Sequence, residues 1–445
     1  MLEALRKFGL EYCDLPTMID NIAFLLRMYT VNIERTYTQS IPTIYYIITI
    51  VTGASYFYVY VISTLWFVFV RCQETRDMAA ASVVFSLGAC SLTGVAKLFY
   101  MHVYKLSICF NPTPEHWSSV QVRYIHHSYG KFSLHNEVYH FSDTIQNIVD
   151  EYLACYAVVK PGTRYSANIL KTLRNVKRRA VSFWLFLSIN AVVYIGIAIC
   201  LPGRHFTEDL CIIYGLEPMF ETPNYQIAFM MMSAGMCFAI PVEIYTSAFL
   251  IIFVGYTEAQ ILALSIEVDN IWHDANQCHQ FLEEIIGNKK NASKEKILND
   301  FIQKQLNDII KKHITGIKCV KQVESIYRSA MTIEFGFLTS GLIAELLGGL
   351  ENTYAQVPYT LIQIALNCFI GQRLIDASLV LENAIYCCQW EYFNTSNQKT
   401  VYLMLMTSQK TLTFSVGGLT VLSFAYLMSV LKSIYSAYTT LRSRV

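Results

Sequence analysis

Long apolar runs recur along this chain, separated by segments dense in charge. The first, "IPTIYYIITIVTGASYFYVYVISTLWFVFV" over 41–70, exceeds the roughly 20 residues a helix needs to cross a hydrocarbon core. Further runs cover 78–100, 180–201, 226–256, 327–350, 356–371 and 415–440. The pattern predicts an all-α membrane protein with seven transmembrane helices. Before the first run, Leu15, Ile19, Ile22, Leu26 and Tyr29 recur at helical spacing behind Pro16, which suits a first turn. That stripe predicts a short amphipathic helix lying on the membrane. Glu3, Glu11, Asp14, Asp20 and Glu34, with no small-residue cleavage site, argue against a secretory signal peptide. The expected organisation is a cytoplasmic amphipathic segment over 1–40, spans one to five with helical inner loops over 41–350, and the last two spans over 351–445.

Lysine and arginine near span ends set the orientation, because cytoplasmic loops carry the excess. The segment from Lys105 to Arg179 is basic, with Arg123, Lys131, Lys160, Lys171, Arg174, Lys177 and Arg178 among others. The segment after 256 adds Lys289, Lys290, Lys294, Lys296, Lys304, Lys311, Lys312 and Lys318. The connection 202–225 has only Arg204 against Glu208, Asp209, Glu217 and Glu221. Rich and poor loops alternate, which places the N-terminus inside and, after an odd number of spans, the C-terminus outside. The commonest seven-helix receptors, which signal through G proteins, face the other way, and neither D/E-R-Y nor N-P-x-x-Y stands where they carry it. That class is the alternative reading. In the inner loop before the fifth span, Ile297, Leu298, Phe301, Leu306, Ile309, Ile310, His313 and Ile317 form an apolar stripe between lysine-rich faces. Such a helix continues into the span, and its stripe packs either within the chain or against another subunit.

Composition narrows the chemistry. Of 445 residues, 54% are apolar and 15% charged, with a formal charge of +1, so nothing is built to attract nucleic acid. Cysteines sit mostly inside spans without a C-x-x-C pair, and only Cys200 and Cys211, flanking an outer loop, are placed to form a disulfide. His126, His127, His135 and His140 cluster on an inner loop, but no metal, phosphate-loop or nucleophile motif accompanies them. No enzyme, metal or cofactor is expected. Lys97 in the second span and Glu243 in the fourth lie at similar distances from the outer ends of two inward-running helices, so they can pair.

The final run is apolar yet hydroxylated. On a helical wheel Tyr426, Ser429, Ser433, Ser436, Thr440 and Ser443 share one arc with Lys432 at its edge, while Leu427, Val430, Leu431, Ile434, Tyr438 and Leu441 lie opposite. Small polar residues act as glue between membrane helices. A continuous stripe ending in Arg442 and Arg444 also fits a water-filled pore wall, which one chain can form only with other subunits around an axis. Both readings follow from the wheel.

Two segments carry a family resemblance. "CFIGQRLIDASLVLENAIYCCQW" resembles the segment after the sixth span of insect odorant receptors through Cys368, Gly371, Leu374, Ser378, Leu381, Ala384, Tyr386 and Trp390. The closing segment is similar to that family's last helix through Ser408, Gln409, Lys410, Gly417, Gly418, Leu422, Ser423, Leu431, Lys432, Tyr435, Ser436 and Leu441, and "YGLEPMFETPNYQIAF" resembles the second outer loop of moth members. Three positions depart from the family pattern: Arg373 stands where members usually carry an acid, Thr411 where proline is usual, and Gln389 where proline often precedes the tryptophan.

The resemblance implies a ligand-gated non-selective cation channel of the plasma membrane. In it this chain would be a tuning subunit, assembled in a tetramer with the odorant receptor co-receptor and opened by a small volatile apolar odorant. It also implies a pore lined by Ser429, Ser433, Ser436, Thr440, Ser443 and Arg444. Its odorant pocket would lie in the outer half of the bundle, where Phe85, Tyr194, Phe229, Met232, Met236, Phe337 and Tyr359 fall. Tyr194 and Tyr359 would offer a hydrogen bond to an oxygenated odorant. The inner-loop assignments predict that the sequons at Asn291 and Asn394 remain unglycosylated in cells, while a C-terminal tag is reached by antibody without permeabilisation. A mass shift on glycosidase treatment, or a tag visible only after permeabilisation, would reverse the topology.

Overall fold

In hydrocarbon a backbone amide finds no water, so an apolar run folds as a helix that satisfies its own polar groups. The computed structural model describes residues 7–34, 40–106, 145–286 and 291–443. The described helices are α1 (Leu15–Arg27), α2 (Thr43–Thr75), α3 (Met78–Leu106), α4 (Ile145–Ala157), α5 (Arg164–Cys200) and α6 (Asn224–Asp269). They continue with α7 (Ile271–Ile286), α8 (Asn291–Leu347), α9 (Gln356–Cys387), α10 (Thr395–Ser408) and α11 (Phe424–Arg442). Among the described residues, α2, α3, α5, α6, α8 and α9 are long and apolar enough to cross a membrane. The seventh span is α11, whose 19 residues reach about 28 Å but whose hydroxyls lower its hydropathy.

The start of that span differs from the sequence expectation. Residues 415–421 form a hairpin, with β1 (Ser415–Val416) antiparallel to β2 (Thr420–Val421), and Gly417 and Gly418 hold φ values of 62° and 74° at its turn. That left-handed pair suits glycine and ends any helix there. The helix begins only at Phe424, where the Ser423 hydroxyl accepts from the Tyr426 amide at 3.2 Å.

At the centre runs α6, 46 residues long, packed by α1, α2, α3, α5, α8 and α9. Glycines let its neighbours approach closely. A Cβ at Gly94 of α3 would stand 2.7 Å from the Glu243 backbone, and one at Gly255 of α6 would stand 2.5 Å from Val176 of α5. As the inner-loop stripe predicts, α8 is one helix of 57 residues from that extension into the span. Most of its stripe is covered by the chain itself: Leu306, Ile309, Ile310, His313 and Ile317 are buried, while Ile297 stays exposed. Asn299 fastens α8 to α10, its side-chain oxygen accepting from the Asn394 amide at 2.9 Å and its carbonyl from Asn397 Nδ2 at 2.9 Å.

One further expectation is corrected and one open question answered. The apolar face of α1 is not laid on the membrane: Leu15, Ile19, Ile22 and Leu26 are buried against α4 and α6. The protein supplies the polar anchors that hold it there. Lys177 donates to the carbonyls of Lys7 and Tyr12, and Tyr29 donates to the Cys237 carbonyl at 2.8 Å. Cys200 and Cys211 are both free thiols, because Cys211 turns into the core while Cys200 is exposed at the end of α5. The histidines of 126–140 lie outside the described residues.

Candidate functional site

Two helices that run the same way through the bundle carry polar residues at matching intervals. On α3 these are Ser86, Cys90, Thr93 and Lys97; on α9 they are Gln356, Thr360, Gln363 and Asn367. Each set steps by four, three and four residues, which keeps all its members on one helix face. The faces meet in register. Ser86 Oγ donates to Gln356 Oε1 at 2.7 Å, Cys90 Sγ lies 3.2 Å from Thr360 Oγ1, and Thr93 Oγ1 donates to Gln363 Oε1 at 3.4 Å. Lys97 and Asn367 close the ladder through one shared acceptor, Glu334 Oε1 of α8, at 2.8 Å from each.

Carboxylates from the flanking helices fill the remaining positions. Glu243 of α6 accepts from Lys97 at 2.7 Å, from Ser247 at 2.8 Å and from Thr93 at 3.0 Å. Glu345 of α8 accepts from Thr360 at 2.6 Å and from Cys90 at 3.4 Å. Lys97, Glu243, Glu334 and Glu345 are each no more than 1% exposed. The pairing of Lys97 with Glu243 anticipated from their depth is present, and Gly94 one turn earlier is what brings α3 close enough to make it. Sequence reasoning missed Glu334 and Glu345. Their signal was available, since two acids eleven residues apart in an apolar run share a helix face.

The outer end of the ladder meets the connection between α5 and α6. Gln356 Nε2 donates to Glu208 Oε2 at 3.1 Å, and the Tyr194 hydroxyl donates to the same oxygen at 3.3 Å. Burial pushes the Glu208 carboxyl up to about 7, against hydrogen bonds from the Leu210 amide, Tyr194 and Gln356 that pull it down. The connection is held over the bundle by Phe206, which packs on Phe220 and Tyr225, and by Tyr214, which packs on Trp66 and accepts from the Tyr58 hydroxyl at 2.8 Å.

Of the seven residues expected at a ligand pocket, Tyr194 joins this outer cluster directly. Met232 and Met236 are buried on α6, and the Met232 carbonyl accepts from Tyr60 at 3.2 Å. Phe229 lies 6.2 Å from the Tyr225 ring. Phe85, Phe337 and Tyr359 are half-buried on α3, α8 and α9, and no hydrogen bond or ring contact among the described residues joins them to another of the seven. A shallow, partly open crevice lies elsewhere, between α5, α6 and α9, and none of the seven lines it.

On α11 the faces follow the wheel except at Tyr426, which turns from the hydroxylated arc onto the bundle, and at Leu441, which is exposed although it belongs to the apolar side. Val430 and Ile434 are buried, and Tyr426 packs 5.5 Å from the Phe335 ring. Ser429, Lys432, Ser433, Ser436, Thr440 and Ser443 are all exposed on the single chain. The Ser433, Thr440 and Ser443 hydroxyls donate to carbonyls of their own helix at 2.8–3.0 Å. Arg444 lies outside the described residues.

Two measurements probe these arrangements. Replacing Lys97 by Met strands two buried carboxylates, which costs about 3–5 kcal/mol, so K97M should lose surface expression and melt earlier in detergent. The triple variant Lys97→Met/Glu243→Gln/Glu334→Gln should recover part of that loss, and a K97M protein as stable as the wild type would contradict the pairing. For Glu208, the folded form holds its proton up to about pH 7 while an ordinary glutamate releases it near 4.5. The folded state therefore binds the extra proton between those values, and the contribution of Glu208 to stability is fully present below about 4.5 and is lost as pH rises through 7. The difference corresponds to roughly 3 kcal/mol. Thermal unfolding of E208Q should lack that part of the pH slope; an unaltered slope would place Glu208 in water.

Comparison with known proteins places this architecture. The family model described as 7tm Odorant receptor matches residues 138–435, more than half of the chain. Odorant receptor 30a of Drosophila melanogaster is 35% identical over 74 residues, 17% of this chain and 20% of that protein, so the match spans about a fifth of the relative's length. The insect olfactory receptor OR5 from Machilis hrabei in complex with eugenol superposes with a TM-score of 0.69 at 12% identity, covering 97% of this chain and 99% of that one. A second structure of that receptor gives 0.67 at 12% identity, covering 96% and 98%. At that identity the superpositions establish a shared fold, and together with the family match they make this chain a member of the insect odorant receptor family of seven-helix membrane proteins.

Proposed function

We propose that this chain is a tuning subunit of a ligand-gated, non-selective cation channel in the plasma membrane, assembled with odorant receptor co-receptor subunits. The observation that carries the proposal is α11. Val430 and Ile434 of its apolar side are buried on the bundle while Ser429, Ser433, Ser436, Thr440 and Ser443 are exposed, and Arg444 follows them in sequence. A row of hydroxyls and a lysine on an outward face at membrane depth needs water or polar neighbours. Copies of α11 around a symmetry axis provide a pore that supplies both. In this reading residues 351–445 hold the last two spans with the anchor segment and the pore helix, 41–350 hold spans one to five with their cytoplasmic helical loops, and 1–40 lie inside the cell.

The ligand is a small, mainly apolar volatile held in the outer half of the bundle by Phe85, Tyr194, Phe229, Met232, Met236, Phe337 and Tyr359. Thioethers and rings give an adaptable apolar wall, and Tyr194, set beside Gln356 and Glu208, gives a polar point. The Machilis hrabei relative was solved with eugenol, an aromatic carrying oxygen, which is consistent with a wall and polar point of this kind.

Expression with and without the co-receptor, recording currents to a panel of volatiles, tests the proposal. Fast currents that require the co-receptor and no G protein are expected. Substitutions at Thr440 and Ser443 should change ion permeability, and combined substitution of Phe85, Tyr194 and Met232 should change the response profile. Slow responses that depend on a G protein would favour the alternative receptor class, and unchanged permeability would remove α11 from the pore.

A further inference from the structure

At the inner end of the bundle two arginines share one buried carboxylate. Glu258 of α6 is 1% exposed and accepts from Arg179 Nη1 of α5 at 2.7 Å, and its other oxygen accepts from Arg373 Nη2 and Nε of α9 at 2.6 and 2.9 Å. Arg179 and Arg373 keep 26% and 33% of their side chains exposed, and each guanidinium has more N–H donors than its bonds to Glu258 use. A second carboxylate, Asp376, stands 4.0 Å from Arg373 Nη1 but is half-exposed and accepts from Gln372. Along the adjoining face of α5, Lys171, Arg174 and Arg178 are exposed, and no described carboxylate lies in ion-pair range of them. The adjoining stretch of α5 is therefore basic.

The arginines line the shallow crevice together with Ile251, Val254, Leu366, Phe369 and Ile370. Arg179 lies over the Phe369 ring at 5.4 Å. Depth matters here. Arg179, Glu258 and Arg373 each sit one or two residues beyond the inner ends of the apolar runs 180–201, 226–256 and 356–371. A group bound there has its charge at headgroup level and its hydrocarbon against an apolar wall.

We propose that this crevice binds an anionic glycerophospholipid of the cytoplasmic leaflet, its phosphate on Arg179 and Arg373 and an acyl chain along Val254, Leu366 and Phe369. Arginine's planar fork suits phosphate, and anionic lipid is concentrated on that leaflet. The site also touches the base of α11. Phe369 packs 6.3 Å from the Phe424 ring, Gln372 Oε1 accepts from the Phe424 amide at 3.1 Å, and a Cβ at Gly371 would stand 2.4 Å from the Leu422 carbonyl. Occupancy thus bears on the stretch of α9 that seats α11, and its effect on gating rests on the channel reading, whereas lipid binding itself does not.

The test is lipid retention by the full-length receptor, purified with its co-receptor if assembly requires it, and reconstituted in phosphatidylcholine nanodiscs containing a minor fraction of phosphatidylserine. Native mass spectrometry counts the anionic lipids kept after detergent exchange. Removing both arginines alone would leave Glu258 buried and unpaired, so the variant is Arg179→Gln/Glu258→Gln/Arg373→Gln, which keeps hydrogen bonding without charge. It should retain phosphatidylserine about tenfold less well, the equivalent of one charge-assisted contact, while phosphatidylcholine retention is unchanged. Equal retention by variant and wild type would overturn the proposal. So would full competition by inorganic phosphate, which would mark a site for the free anion, or a cross-link placing a second subunit's side chain in the crevice. Should phosphatidylserine bind as expected but leave odorant-evoked current unaffected, the lipid site would stand and its link to gating would fall.

Discussion

A lysine buried among apolar helices can be kept only where carboxylates meet it, and that requirement organises this bundle. Lys97 takes Glu243 from α6 and Glu334 from α8 at 2.7 and 2.8 Å, and Asn367 of α9 binds the same Glu334 oxygen. Four helices are thereby tied at one depth. An isolated charge in hydrocarbon is expensive, and the pair repays that cost only when every donor is well placed. The close approach at Gly94 follows from the same need, because a methyl group there would push α3 off the Glu243 backbone.

From this tie the ladder between α3 and α9 rises toward the outer surface with one shared spacing. Because both helices step by four, three and four residues, a slip of α9 by a single residue would break every rung together. The contacts are thus cooperative by geometry, and they end at Gln356, where Glu208 attaches the outer connection. A buried carboxyl whose ordinary charge is opposed by desolvation makes that attachment dependent on its proton.

The same helix serves the inner end with different residues. Below Asn367, α9 presents Gly371 to Leu422 and Gln372 to the Phe424 amide, which seats the base of α11, while Arg373 reaches across to Glu258. The departure at Arg373 from the family's usual acid now has a physical partner. With Glu258 already buried between two helices, a carboxylate at 373 would face like charge, whereas an arginine completes a three-group cluster with Arg179. For Thr411 the structure offers no account.

Much of this was legible from one chain. The number and order of the spans, the inward extension of α8 and the division of α11 into apolar and hydroxylated faces all follow from periodicity, which is a local property of the backbone. Lys97 and Glu243 could be paired because a buried charge demands an opposite one and the candidates were few. Contacts between distant segments were not legible. Nothing in residues 78–100 alone says that Ser86, Cys90 and Thr93 face Gln356, Thr360 and Gln363, since polar residues on a helix declare a face without naming what it meets. For the same reason the stripe of α1 could be read as a membrane contact when its partner is α6, and Glu334 and Glu345 passed unnoticed. Sequence by itself determined the long apolar helices, α1 and the faces on which most of their polar residues lie, but not the shorter α4, α7 and α10. Packing decided which sides meet, because that choice depends on close approaches and hydrogen-bond geometry summed over helices hundreds of residues apart.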